Sequence, residues 1–170
     1  MNVFDRYQFR ENGSEISFMP NYNFLRTLVW WLVLGIVAAP VIYLCMDYMS
    51  RDNFLIALIV WVLYMVYFVF GLIFRIPVKY IFYKSEKSIY RKNIINRKIM
   101  NFDEMTYFVK DESGGYCYAI GKKKKQFIKN YRVSNYFSNS KSSQKIEDEY
   151  LENILFPILK LVGIAVENEK

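Results

Sequence analysis

Four consecutive lysines, Lys122, Lys123, Lys124 and Lys125, stand directly after Gly121 and form the most pointed cluster of chemistry-bearing side chains in the chain. A run of ammonium groups on one turn suits contact with anionic lipid, where each basic residue near an acidic leaflet contributes about 1 kcal/mol. It equally suits a solvated turn that blunts a sheet edge. Two acidic pairs, Asp103-Glu104 and Asp111-Glu112, raise the question of carboxylate chemistry. Neighbours on a strand point to opposite faces, so each pair reads as structural or solvated rather than as an acid and a base sharing one substrate.

The sequence contains no histidine. Ser/His/Asp triads, Cys/His dyads and histidine-ligated metal sites are therefore excluded. Cys45 and Cys117 are far apart and make neither a disulfide framework nor a Cys-x-x-Cys zinc site. Both read as small apolar residues for burial. No phosphate-binding loop and no Gly-x-Ser-x-Gly motif is present. The expectation is a non-enzymatic protein with no catalytic residue, no cofactor and no metal.

The elements that must position these residues divide sharply in composition. The chain has 170 residues and a formal charge of +7, which fits about one domain plus a membrane anchor. Residues 27–46 and 54–74 carry no Asp, Glu, Lys or Arg. Each run is long enough to cross roughly 30 Å of hydrocarbon as a helix. Both exceed a signal-peptide core, and the segment before them holds Asp5, Glu11 and Glu15, so no cleavage is expected. The short connector, residues 47–53, makes the two helices an antiparallel hairpin.

Orientation follows from Lys/Arg bias. The connector carries Arg51 alone, whereas the flanks carry Arg6, Arg10, Arg26, Arg75, Lys79, Lys84, Lys87, Arg91 and Lys92. Both termini are expected in the cytoplasm, with the hairpin, residues 25–76, in a cytoplasmic (inner) membrane. Wholly apolar spans argue against an ion or proton pathway. Gly35 and Ala39 form a small-xxx-small pair that admits a close helix, in the simplest case the second span. Tyr64 and Tyr67 need hydroxyl partners at membrane depth and are expected to face the first helix or another chain.

Residues 1–24 are expected to form a cytoplasmic β-hairpin over residues 3–19. Tyr7, Phe9, Ile16 and Phe18 alternate with polar residues around the Asn12-Gly13 turn. A lone hairpin is marginal in water, so it should join the sheet that follows the second span. Ile76-Pro77 ends that span, and residues 77–170 turn to a β pattern. Strands are expected over residues 78–83, 88–92, 94–102, 105–109, 116–120 and 126–131. The turns fall at residues 85–87 and 112–115 and at Gly121. Residues 134–144 read as a polar connector and residues 145–162 as an amphipathic helix. Its stripe is Ile146, Tyr150, Ile154, Ile158 and Val162, widened by Leu151 and Leu155, with Pro157 expected to kink or limit it.

The predicted class is α+β: a two-helix transmembrane hairpin plus an antiparallel meander closed by a C-terminal helix, the pattern of a pleckstrin-homology-like (PH-like) domain. The runs FYKSEKSIYRKN from Phe82 and KIMNFDEMTYFV from Lys98, in that order after two spans, resemble the small bacterial membrane proteins of the YcxB-like type. That resemblance implies a two-helix anchor carrying a PH-like domain and supplies no functional residues. The function expected is an inner-membrane protein presenting a cytoplasmic PH-like module for protein or anionic-lipid binding. A toxin-immunity protein acting at the inner membrane is the alternative from another class. An oligomeric pore or transport accessory component is a third, disfavoured by the apolar spans. The partners implied are the lipid bilayer, a toxin or membrane complex, or further copies of the chain. Nucleic acid fits poorly, because the positive charge lies beside a membrane.

Overall fold

The computed structural model describes residues 2–112, 114–125 and 128–164. The class is α+β, and the chain forms two compact units: residues 23–77, and the residues before and after them.

The first unit is a pair of helices, α2 (Leu25–Leu44) and α3 (Arg51–Phe70), each long and apolar enough to cross a membrane. A 3-10 turn, Tyr22–Phe24, leads into α2, which starts and stops two residues before the charge-free run. Helix α3 begins three residues earlier than its run, because Ser50 caps it and accepts the Asn53 N–H at 3.4 Å. The cap lets the polar residues Arg51, Asp52 and Asn53 form the first turn. At the far end α3 widens into a π turn, Gly71–Arg75, where the Ile76 N–H donates to the Gly71 carbonyl at 3.0 Å. Pro77 follows and cannot extend the helix.

The second unit opens with a short helix, α1 (Val3–Tyr7), where a strand was expected. Helical spacing places Val3 and Tyr7 on one face, and both are buried. Tyr7 packs against Tyr150 with ring centroids 4.9 Å apart, and its hydroxyl accepts the Asn135 N–H. Tertiary burial thus overrides an alternating pattern that fits either element. Gln8 ends the helix in the left-handed region, φ 46°. The expected hairpin is confined to β1 (Arg10–Asn12) and β2 (Glu15–Phe18).

As expected, the hairpin joins the strands that follow α3. Strands β1 to β5 form a five-stranded antiparallel sheet in sequence order, with β3 (Lys79–Tyr83), β4 (Ser88–Lys92) and β5 (Asn96–Asn101). The register pairs Glu15 with Tyr83 and Phe18 with Tyr80. A single meander was expected, but β6 (Met105–Glu112), β7 (Gly115–Lys122) and β8 (Asn130–Arg132) form a separate three-stranded sheet. The break is a corner after β5. Phe102 N–H bonds back to the Lys87 carbonyl at 2.9 Å, and the Glu104 carboxylate accepts the Asn101 N–H at 3.2 Å. Those bonds turn the chain instead of letting β6 pair with β5.

Several boundaries differ from expectation: β5 leaves out Ile94 and Ile95, and β6 and β7 run on to Glu112 and Lys122. Gly121 does not break β7; it pairs with Thr106 and Asn130. The last strand occupies Asn130–Arg132, and Gln126 and Phe127, at the start of the expected strand, lie outside the described residues, as do Ser113 and residues 165–170. The C-terminal helix starts at Lys141, because Ser140 caps it through the Ser143 N–H. It runs as α4 (Lys141–Tyr150), a π turn (Leu151–Leu155) and α5 (Phe156–Val162). The wide turn immediately precedes Pro157, which lacks the N–H that a regular helix needs there. Much of the expected stripe fills the core: Tyr150, Ile154, Leu155 and Ile158, joined by Leu159, pack with Phe18, Phe82, Ile89, Met105 and Phe137, while Ile146, Leu151 and Val162 are partly buried at its edge.

Candidate functional site

Within the helical pair, Gly35 is the point of closest approach. A Cβ there would meet Met65 Sδ and Tyr64 Cε1, each at 2.6 Å. Tyr64 donates its hydroxyl proton to the Trp31 carbonyl at 2.7 Å, and Trp61 donates its indole N–H to the Gly35 carbonyl at 2.8 Å. Side chains of α3 thus bond backbone carbonyls of α2 on successive turns. Of the four residues expected at this seam, the structure brings Gly35 and Tyr64 together and leaves Ala39 half-buried. Tyr67 is 60 % exposed and meets Phe68 edge-on, so it does not face α2. Trp61 was missed. It stands three residues before Tyr64, hence on the same helical face, and that spacing was the available signal.

Among the described residues of the sheet unit one carboxylate is buried. Glu147, 8 % exposed, accepts the Tyr116 and Tyr118 hydroxyls, the latter at 2.7 Å. Strand periodicity puts Tyr116 and Tyr118 on one face of β7, beneath α4. The Glu147 hydrogen bond, with some burial, pushes the Tyr116 hydroxyl up to about 12. Burial first, then Glu147, raises that of Tyr118 further. Both phenols therefore stay protonated donors, and the cluster clamps α4 to the sheet. Its residue types lack a nucleophile activated for attack. Among the described residues no group of three His, Cys, Asp or Glu side chains is placed to hold a metal ion.

The lysine run divides in two. Lys122 is the last residue of β7 and pairs with Glu104 at 3.0 Å, which with the Asn101 N–H holds that carboxyl below its ordinary range. Lys123, Lys124 and Lys125 are exposed in the turn that follows, and the Lys123 N–H is fixed to the Glu104 carbonyl at 2.9 Å. The acidic pair Asp103-Glu104 lies in the β5–β6 corner, not on a strand, and Glu104 is its working member. In the other pair, Glu112 binds Lys110 at 2.8 Å and the Tyr136 hydroxyl.

A second basic cluster was not singled out by sequence. The β4–β5 turn exposes Ile94 and Ile95 by 66 % and 77 %. On either side Arg91, Lys92, Arg97 and Lys98 are all exposed, and the register sets Arg91 directly opposite Arg97. Like charges opposed across a ladder are unfavourable. Among the described residues, none of the ion pairs, Lys84–Glu11, Lys110–Glu112 and Lys122–Glu104, relieves them. Comparison of the chain with protein-family models, curated proteins and solved structures gives no match.

Proposed function

We propose that the protein is a non-enzymatic module anchored by α2 and α3 in a bacterial inner membrane, holding a PH-like β unit on the cytoplasmic side for binding. The observation that carries this reading is the division of polarity in the helical pair. The donors of Trp61 and Tyr64 turn inward to carbonyls of α2, while Trp30, Leu34, Val37, Leu44, Ile56 and Leu63 face outward. Hydrocarbon demands that division, because a polar group without a partner there costs several kcal/mol.

The PH-like assignment is supported by two small antiparallel sheets followed by a terminal amphipathic helix that completes their core. Cytoplasmic placement is supported by the excess of Lys and Arg in both flanks over the connector. An exposed basic surface on a domain tethered to a bilayer favours acidic ligands, and lipid headgroups are the most abundant within reach.

The test is retention of the full chain in membranes after alkaline carbonate and high-salt extraction. The protein should remain in the membrane pellet and leave it only with detergent. Release into the soluble fraction overturns the anchored reading.

A further inference from the structure

The strand register orders the two basic turns relative to the entry of the chain into the sheet. Strand β3 starts two residues after Pro77, where the helical unit ends. Lys79, its first residue, pairs with Lys92, the last residue of β4. The β4–β5 turn therefore leaves the sheet at the end where the chain arrives. Phe18 pairs with Tyr80, so β2 departs toward α2 from that same end. The opposite end holds Tyr83, Ser88 and Asn101. Beyond Asn101 lies the corner at Glu104, to which Lys122 and Lys123 are bonded. One strand of five residues, about 16 Å, separates the two ends.

Ile94 and Ile95 need a physical account. Tight turns favour Gly, Asn, Asp and Ser, yet two large aliphatic residues occupy this tip and touch no core. The basic side chains behind them enter none of the ion pairs among the described residues, and Arg91 and Arg97 repel each other across the ladder. An apolar tip ringed by such cations matches a bilayer interface with anionic headgroups: aliphatic carbon enters the acyl boundary while ammonium and guanidinium groups meet phosphate.

We propose that the β4–β5 turn is a membrane-insertion tip. Ile94 and Ile95 enter an anionic leaflet, and Arg91, Lys92 and Arg97 bind its phosphates. This rests on the anchored reading above. The tip gives the domain a second attachment to the bilayer, one that depends on lipid charge as α2 and α3 do not.

The test uses the full chain reconstituted into vesicles of phosphatidylcholine alone or mixed with phosphatidylglycerol. An environment-sensitive fluorophore is attached at Ile95→Cys, with Cys45 changed to Ala and the buried Cys117 left in place. Co-flotation with both vesicle types reports the anchor; failure to float with either overturns the anchored reading itself. In floated protein, the fluorophore should shift to the blue and be quenched by spin-labelled lipid only when phosphatidylglycerol is present. Each change of Arg91, Lys92 or Arg97 to Gln should lower the inserted-to-free ratio about fivefold, the equivalent of about 1 kcal/mol. Changing Lys123, Lys124 and Lys125 to Gln should leave that ratio unchanged. A fluorophore that stays in water in both vesicles, or inserts equally in both, overturns the proposal while leaving the anchor intact.

Discussion

Phe18 on β2 lies directly opposite Tyr80 on β3, with their ring centroids 5.8 Å apart. One residue precedes α2 in the chain and the other follows α3, so the helical pair is an insertion into a single sheet. Hydrogen-bonded strands cannot lie on opposite faces of a bilayer. On the anchored reading proposed above, the pairing therefore commits both flanks of the helical pair to one side.

Cysteine accessibility should report this arrangement. Asn12→Cys and Tyr48→Cys both lie at exposed positions, one at the end of β1 and the other between α2 and α3. In right-side-out membrane vesicles, an impermeant maleimide should label the Tyr48→Cys variant and spare the Asn12→Cys variant until the bilayer is opened. Labelling of both from the same face would exclude a transmembrane hairpin.

Loss of an interhelical hydrogen bond should loosen the pair without melting either helix. Trp61→Phe and Tyr64→Phe should each weaken α2–α3 association by about 0.5–1.5 kcal/mol. Tyr67→Phe should be silent, since that side chain points away from the seam. Gly35→Leu should exceed all three, because its side chain would collide with Met65 and with a Tyr64 ring fixed by its own hydrogen bond. Energy transfer between labels on the two helices, followed through a denaturing-detergent titration, ranks the four variants.

At Gly115 a methyl group would run into the backbone carbonyl of Phe137, which is held by the bridge between Tyr116 and Phe137. Backbone yields less readily than a side-chain end, so Gly115→Ala should destabilise the sheet unit by about 1–3 kcal/mol. Gly13→Ala, with open space around it, serves as the comparison in thermal unfolding.

Alkaline pH should unfold the sheet unit from the tyrosines outward. Burial pushes the hydroxyls of Tyr7 and Tyr80 up to about 12, and the Glu147 hydrogen bond does the same for Tyr116. An unfolded tyrosine ionises near 10. A raised folded-state value means that the contribution is complete below about pH 10 and is lost as pH rises through about 12. Thermal stability should therefore be level near neutrality as far as these groups are concerned and fall across that window. The tyrosinate absorbance contributed by Tyr7, Tyr80 and Tyr116 should rise with loss of structure rather than before it. Tyr118→Phe leaves Glu147 buried with one donor fewer and should cost about 1–3 kcal/mol at neutral pH.

What the sequence made legible was whatever a local pattern controls. Two charge-free runs announced α2 and α3, Asn12-Gly13 announced the β1–β2 turn, and β4 fell on its expected residues, Ser88–Lys92. The stripe from Ile146 to Val162 announced the packed face of the last helix. Long-range contacts decided the rest. Val3 and Tyr7 form a helix because Tyr7 has Tyr150 and Asn135 to meet, partners far along the chain. In sequence Glu147 is one of three consecutive acids with Asp148 and Glu149. Only the fold brings two phenols over it. Lys122 looked like one of four equals until the β5–β6 corner placed Glu104 beside it. Ile94 and Ile95 were absorbed into an expected strand, because an apolar pair beside Asn93 does not show whether it faces a core or water.

The insertion of the helical pair between β2 and β3 also dictates an order of biosynthesis. Roughly 60 residues separate Phe18 from Lys79, and at about 5–20 residues per second the ribosome takes several seconds to supply them. Throughout that interval β1 and β2 have no strand to pair with, and a hairpin alone is marginally stable. Both long helices emerge before the sheet can close, so on the anchored reading they meet the bilayer while the domain is still open. Completion of the core waits longer still, for the last turn of α5. A nascent chain whose helices missed the bilayer would hold two sticky segments between strands that must meet. On that same reading the topology couples maturation of the domain to arrival of α2 and α3 in the bilayer.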